Sequence, residues 1–167
     1  MKLMGKIDRI DAEAGNDGEA RTKAILVDYK SGSVPSMTEM KRGLHFQMPL
    51  YLLALRDLLG DRFEVIGSAY YQVKSPHEIG LKSLLITKED LRRFSGATAK
   101  NLFESPDELL AFLCEYANRA AQIHAQIQHG EFPPTTLGET AAKCEWCDYR
   151  RICRVDHQRM ANIVSDV

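Results

Sequence analysis

The strongest constraint on this 167-residue chain is one stretch: Ala24-Ile25-Leu26-Val27 runs directly into Asp28-Tyr29-Lys30. An unbroken apolar run of this length reads as a β-strand buried on both faces. Residues two apart on a strand project from the same face, so Asp28 and Lys30 point into one small volume and Tyr29 points away from it. A carboxylate and an ammonium at the end of a buried strand are costly to desolvate. A salt bridge at a sheet edge is one use for them. A divalent cation on the carboxylate and a phosphate beside the lysine is another.

Two neighbouring segments bear on that choice. Gly5-Lys6-Ile7-Asp8-Arg9-Ile10-Asp11 mixes apolar and charged residues at strand-like spacing, and turn-rich Ala14-Gly15-Asn16-Asp17-Gly18 follows it. The order strand, turn, strand predicts a hairpin that sets Asp8 on the strand next to Asp28. Two carboxylates on adjacent strands make a hard-cation site. Gln47 and Tyr51 are four apart and share one face of a helix. Leu44, Leu55 and Leu58 lie near that stripe, so an ordinary amphipathic helix packed on the sheet is the plainer interpretation. A glutamine on such a stripe should nevertheless meet something polar.

The stretches GKIDRID, ILVDYKSG and GLHFQMPLYLLAL, taken in series over residues 5–55, resemble the PD-(D/E)XK nuclease superfamily, and within it the RecB- and AddB-type nuclease domains of bacterial helicase–nuclease complexes. The resemblance implies a restriction-endonuclease-like α/β core, a mixed central sheet flanked by helices. It implies that Asp8 and Asp28 are metal-binding carboxylates, that Tyr29 lends its backbone carbonyl to the metal, and that Lys30 positions or deprotonates the attacking water. Gln47 and Tyr51 match the accessory residues that orient the site or the DNA backbone. Asp11 has no role in the pattern and reads as a turn or surface acid.

Near the C-terminus, Cys144, Cys147 and Cys153 form C-x2-C-x5-C in the run CEWCDYRRIC. In a reducing compartment such spacing points to a metal or cluster site rather than a disulfide framework. With its aromatic and basic filling it resembles the iron–sulfur module of AddB-like and Cas4-like nucleases, in which an upstream cysteine completes a [4Fe–4S] site. That cysteine and the family's upstream histidine would precede GKIDRID, so the resemblance implies a piece of a larger polypeptide. A competing site is zinc held by the three cysteines and His157, at C-x3-H spacing. Cys114, beside the stripe Leu109, Leu113, Tyr116, Ala120 and Ile123, reads as a small buried hydrophobe.

Hydrophobic content of 44% and charged content of 27% are ordinary for a globular chain of one-domain length. Two regions are expected: a nuclease core over 1–135 and a Cys-rich segment over 136–167 packed on the same domain. Net charge is −1, so any basic surface for DNA must be local. Candidates are Lys41-Arg42, Arg92-Arg93, and Lys143 with Arg150, Arg151 and Arg154. There is no Walker A sequence, no signal peptide and no apolar run long enough to span a membrane. The cluster-type cysteines favour the cytoplasm.

Strands are predicted near 3–11, 22–30, Val65–Val73 and Leu81–Ile86. A helix is predicted from Thr38 or Leu44 to Leu59, with Pro49 in a first turn or at a kink. Thr87 with Asp90 caps a short helix, and Ser105-Pro106 opens a long one that closes at Gly130. The expected function is a Mg²⁺- or Mn²⁺-dependent DNA exonuclease domain that processes double-strand ends for recombinational repair. Its partners would be DNA, helicase regions of the same polypeptide and a partner helicase–nuclease subunit. The alternative is an inactive DNA-binding or subunit-docking module stapled by a cluster or zinc.

Overall fold

Strand β2 (Thr22–Lys30) organises the fold. In the computed structural model it lies between β1 (Arg9–Ala12) and β3 (Phe63–Val73), and β4 (Ile79–Ile86) completes a four-stranded sheet in the order β1-β2-β3-β4. The β1–β2 and β3–β4 pairs are antiparallel and β2–β3 is parallel, so the sheet is mixed. The structure describes residues 4–13, 21–74, 79–94, 102–131, 148–149 and 152. Two compact units divide the chain, Met1–Ile123 and His124–Val167, and the sheet belongs to the first.

The parallel β2–β3 pair requires a crossover, and the segment between the two strands supplies it. Helix α1 (Met37–Lys41) opens on a capping box, in which Ser36 accepts from the Glu39 N–H and the Glu39 carboxylate accepts from the Ser36 N–H. It closes at Gly43, whose φ of +70° suits glycine and whose N–H reaches the Met40 carbonyl at 2.7 Å. The two predicted starts, Thr38 and Leu44, thus belong to different helices, and the one that reaches Leu59, α2 (Gln47–Leu59), starts afresh. Pro49 falls in its first turn, where a backbone donor would have no helical partner in any case.

The sheet is apolar on both faces, as the unbroken run of β2 predicts. Leu26, Tyr70 and Leu85 pack under Met48, Leu52 and Leu55 of α2, together with residues of α1 and of α4 (Pro106–Gln128). On the other face Ile25, Val27, Ala69, Leu84 and Ile86 form a second cluster. Each fully buried aliphatic side chain contributes roughly 1.5–3 kcal/mol before entropy is counted. Leu58 does not join the helix stripe: it is 76% exposed, because Met48, Leu52 and Leu55 already cover the sheet.

Strand β3 carries a bulge. Ala24 pairs with Val65, yet Ile25 pairs with Gly67, so Ile66 is the extra residue. Gly67 is required there for close approach: a Cβ would lie 2.4 Å from the Leu85 carbonyl oxygen and 3.1 Å from Ile86 Cβ. Beyond the bulge, Tyr70 and Gln72 stand beside Asp28 and Lys30. A second irregularity in β4 holds Ser83 at φ +47°, and its hydroxyl donates to the Pro35 carbonyl, tying β4 to the crossover.

Helix α3 (Lys88–Leu91) is capped by Thr87, whose hydroxyl accepts from the Asp90 N–H and donates to the Asp90 carboxylate. Asp90 is buried and its other oxygen takes Lys23 Nζ at 3.0 Å, so one aspartate both caps a helix and fastens it to β2. Burial works against the Lys23 ammonium, but the hydrogen bond to Asp90 and the charges of Asp90 and Glu64 outweigh it, and its pKa is raised. Arg93 is engaged with Glu13 and Asp90, so the Arg92-Arg93 pair does not offer two unattached cations to DNA.

Helix α4 begins where Ser105-Pro106 predicts, with Ser105 Oγ accepting from the Glu108 N–H, and it gives way to Gly130 at φ +74°. It buries Leu109, Leu113 and Tyr116 only. Cys114 is exposed, contrary to its expected burial, because it sits about 100° around the helix from Leu113 and the buried stripe is narrow. In the second unit the described residues are 124–131, which take in the end of α4 at Gln128, and Asp148, Tyr149 and Ile152, all three exposed. Among the described residues no helix is long and apolar enough to cross a membrane.

Two predictions follow from this packing. Gly67→Ala should cost on the order of 2–3 kcal/mol of stability, read as a lower urea midpoint, because the clash is with backbone that cannot swing aside. A raised lysine pKa stabilises the fold below the ordinary value of 10.5 and loses that contribution as pH climbs above it. Thermal stability should therefore fall above pH 10.5, and Lys23→Met, less stable at neutral pH, should show a smaller alkaline fall.

Candidate nuclease site

Asp28 and Lys30 end the central strand on the face that carries α2. Asp28 is 3% exposed, so its carboxylate must be satisfied by the protein or by a ligand. Lys30 Nζ lies 2.7 Å from Asp28 Oδ2, and Gln47 Nε2 donates to Asp28 Oδ1 at 3.0 Å. The same glutamine accepts from Lys30 Nζ through Oε1 at 2.9 Å. One side chain of α2 thus bridges both charged groups, which explains a glutamine on a helix face where leucine is usual. Its amide presents a donor to the anion and an acceptor to the cation.

Asp28 Oδ2 is close to the ammonium but makes no well-aligned hydrogen bond, and it is fully buried. The ion pair neutralises its charge and leaves a lone pair open. Tyr70, the register partner of Asp28 on β3, places its ring under Lys30, with Nζ 5.4 Å from the centroid. Burial, and secondarily the Asp28 charge, push the Tyr70 hydroxyl pKa above its ordinary value, so the phenol stays neutral.

Asp8 occupies the residue just before β1 rather than the strand itself. The register nevertheless serves it: Arg9 faces Val27, and one further step along the ladder brings Asp8 opposite Asp28. Its Oδ2 accepts from the Tyr29 N–H at 3.2 Å, which sets the carboxylate against the Asp28-Tyr29 peptide. Tyr29 itself points to the other face, as predicted, with its ring edge-on to Tyr71 at 5.6 Å and its hydroxyl held by Arg9 at 2.8 Å.

Tyr51, one helical turn beyond Gln47, packs against the core cluster. It also meets the start of the first motif: a Cβ on Gly5 would lie 2.6 Å from the Tyr51 ring. A side chain at the glycine of GKIDRID would displace the end of the Tyr51 ring. The structure thus brings together Asp8, Asp28, Lys30 and Gln47, with Tyr51 supporting the segment that carries Asp8.

The chemistry of the side chains suits a hard divalent cation: two carboxylates from adjacent segments, one of them the buried Asp28 with an oxygen that makes no hydrogen bond. Among the described residues no group of three or more His, Cys, Asp or Glu converges on one point. Cys144, Cys147 and Cys153, and with them the zinc alternative through His157, lie outside the described residues.

Tyr70 and Gln72 also line this face, and neither stands out in the sequence. Their placement depends on the Ile66 bulge; Gly67 inside a strand pattern is the one signal that could have announced it.

Comparison with known proteins gives the chain a family. Residues 1–154 match the family described as the PD-(D/E)XK nuclease superfamily. An ATP-dependent helicase/deoxyribonuclease subunit from Symbiobacterium thermophilum is 27% identical over 201 aligned positions, which take in 92% of this chain and 16% of that protein. The chain therefore spans about one-sixth of the relative it matches. With a mixed sheet, an acid and a lysine closing its central strand, and a family match over nearly its whole length, this chain belongs to the PD-(D/E)XK nuclease superfamily.

Proposed function

We propose that this chain is the metal-dependent deoxyribonuclease domain of a bacterial helicase–nuclease that processes double-strand DNA ends for recombinational repair. The observation that carries the proposal is the pair of buried Asp28 and half-buried Lys30 at 2.7 Å, with Gln47 hydrogen-bonded to both. Support for the wider assignment comes from the family and from the relative named as a helicase/deoxyribonuclease subunit.

Asp8, Asp28 and the Tyr29 carbonyl would hold Mg²⁺ or Mn²⁺. The bound cation supplies Lewis acidity toward the scissile phosphate. Lys30 then has two tasks in the proposed reaction: its ammonium orients the attacking water, and its positive charge meets the charge that develops on the phosphoryl oxygens. Gln47 fixes the lysine and the carboxylate relative to each other, so little reorganisation is needed at the moment of reaction. Tyr51 holds the Gly5–Asp8 segment in place. DNA is the proposed substrate, and helicase regions of the same polypeptide with a partner subunit are the proposed means of delivering it. The [4Fe–4S] cluster proposed for Cys144, Cys147 and Cys153 rests on their spacing and on the resemblance alone, and iron, sulfide and zinc analysis of purified protein distinguishes it from zinc.

Two measurements test the proposal. Calorimetric titration with Mn²⁺ should show binding that is lost in Asp28→Ala. Lys30→Ala should retain metal binding and lower DNA cleavage by the full-length protein about 10²–10³-fold. Unchanged cleavage in Lys30→Ala would remove the lysine from the mechanism.

A further inference from the structure

The β2–β3 ladder ends at the site. Lys30 and Gln72 are its last register pair, and residues 31 and 32 bend away. A strand end without further ladder bonds is prone to fray. Here that strand end carries the lysine whose ammonium pairs with Asp28. Gln72 is only 9% exposed, and its Nε2 donates to the Gly32 carbonyl at 2.9 Å. That bond clamps the backbone two residues past Lys30. From the neighbouring position on the same strand and face, Tyr70 places its ring beneath the ammonium. The bulge at Ile66 is what brings both residues to this side; without it Ala69 and Tyr71 would stand there instead.

We infer that Tyr70 and Gln72 of β3 are positioning residues for Lys30. Tyr70 supports the ammonium from the sheet side, opposite Gln47 on α2. Gln72 keeps the end of β2 from opening, so that Lys30 stays within reach of Asp28 and Gln47. A lysine side chain has many rotamers, and three directional contacts on its head restrict them only while its backbone is held. The consequence for turnover rests on the role proposed for Lys30; the positioning itself does not.

The experiment uses this chain with ¹³C-labelled lysine, observed by NMR without metal or DNA. The Lys30 signal is assigned by its absence from Lys30→Arg. Held over the Tyr70 ring, the Lys30 ε-methylene protons should be shifted upfield and inequivalent. Gln72→Met keeps the volume and removes the donor; it should return the Lys30 signals toward those of exposed lysines while the other lysine signals stay in place. Tyr70→Phe keeps the ring and should preserve the shift, whereas Tyr70→Leu should abolish it. If Gln72→Met does not fold, Gln72→Glu at neutral pH, which also lacks the donor, decides. Lys30 signals unchanged in the folded Gln72 variant, or already like those of an exposed lysine in the parent chain, overturn the inference. In the full-length enzyme Gln72→Met should lower kcat about tenfold with KM within about twofold, since an interaction needed only for alignment is lost. A Lys30 signature that responds as stated in a protein that cleaves no DNA would remove the nuclease proposal and leave the positioning intact. An unresponsive signature in an active enzyme would do the reverse.

Discussion

A carboxylate and an ammonium held together at the buried end of a hydrophobic strand are the constraint on which the rest of this structure depends. Asp28 is almost inaccessible to water, and its pairing with Lys30 replaces only part of the hydration it has lost. An apolar pair of similar volume would serve stability as well or better. The surroundings are arranged around the pair's requirements. Gln47 satisfies both charges with one amide, Tyr70 gives the lysine a π face, and Asp8 is drawn against the adjoining peptide. The proposed reaction uses what this arrangement leaves open: a carboxylate oxygen without a hydrogen bond and a cation close enough to meet developing negative charge.

The polar site is built on apolar supports. Helix α2 turns Met48, Leu52 and Leu55 to the sheet, and this fixes the rotation of the helix that aims Gln47 at the end of β2. Tyr51 is half in the core and half against the backbone at Gly5, so core packing reaches directly to the segment bearing Asp8. The far face of the sheet follows a similar economy at Asp90, which caps α3 and ties it to Lys23 of β2. That cluster is closed and internally paired. The Asp28 site is distinguished from it by the unsatisfied oxygen.

Much of this was legible in the residues. The bounds of β2, the face shared by Asp28 and Lys30, the outward Tyr29, the Thr87 cap and the start of α4 all follow from periodicity and local hydrogen-bonding chemistry. Gln47 betrayed itself by being polar on an apolar stripe. Other expectations failed for identifiable reasons. Asp8 lies just outside its strand because pairing begins at Arg9. Cys114 and Leu58 are apolar and lie next to the buried stripes, yet both are exposed, since helical periodicity says which residues share a face and not how wide a face the partner covers.

By itself the sequence determined the alternation of apolar and charged positions along β2, the end of α2 at Leu59, and the identity of the groups available for chemistry. These are local properties, set by side-chain direction and backbone freedom within a few residues. Only the tertiary structure decided which residues of β3 accompany the site. A single inserted residue at Ile66 exchanges the two faces of the strand beyond it, bringing Tyr70 and Gln72 to Lys30 in place of Ala69 and Tyr71. The choice between those phases depends on contacts between strands distant in sequence, such as the approach of Leu85 to Gly67; the glycine inside the strand marks the place but does not set the phase.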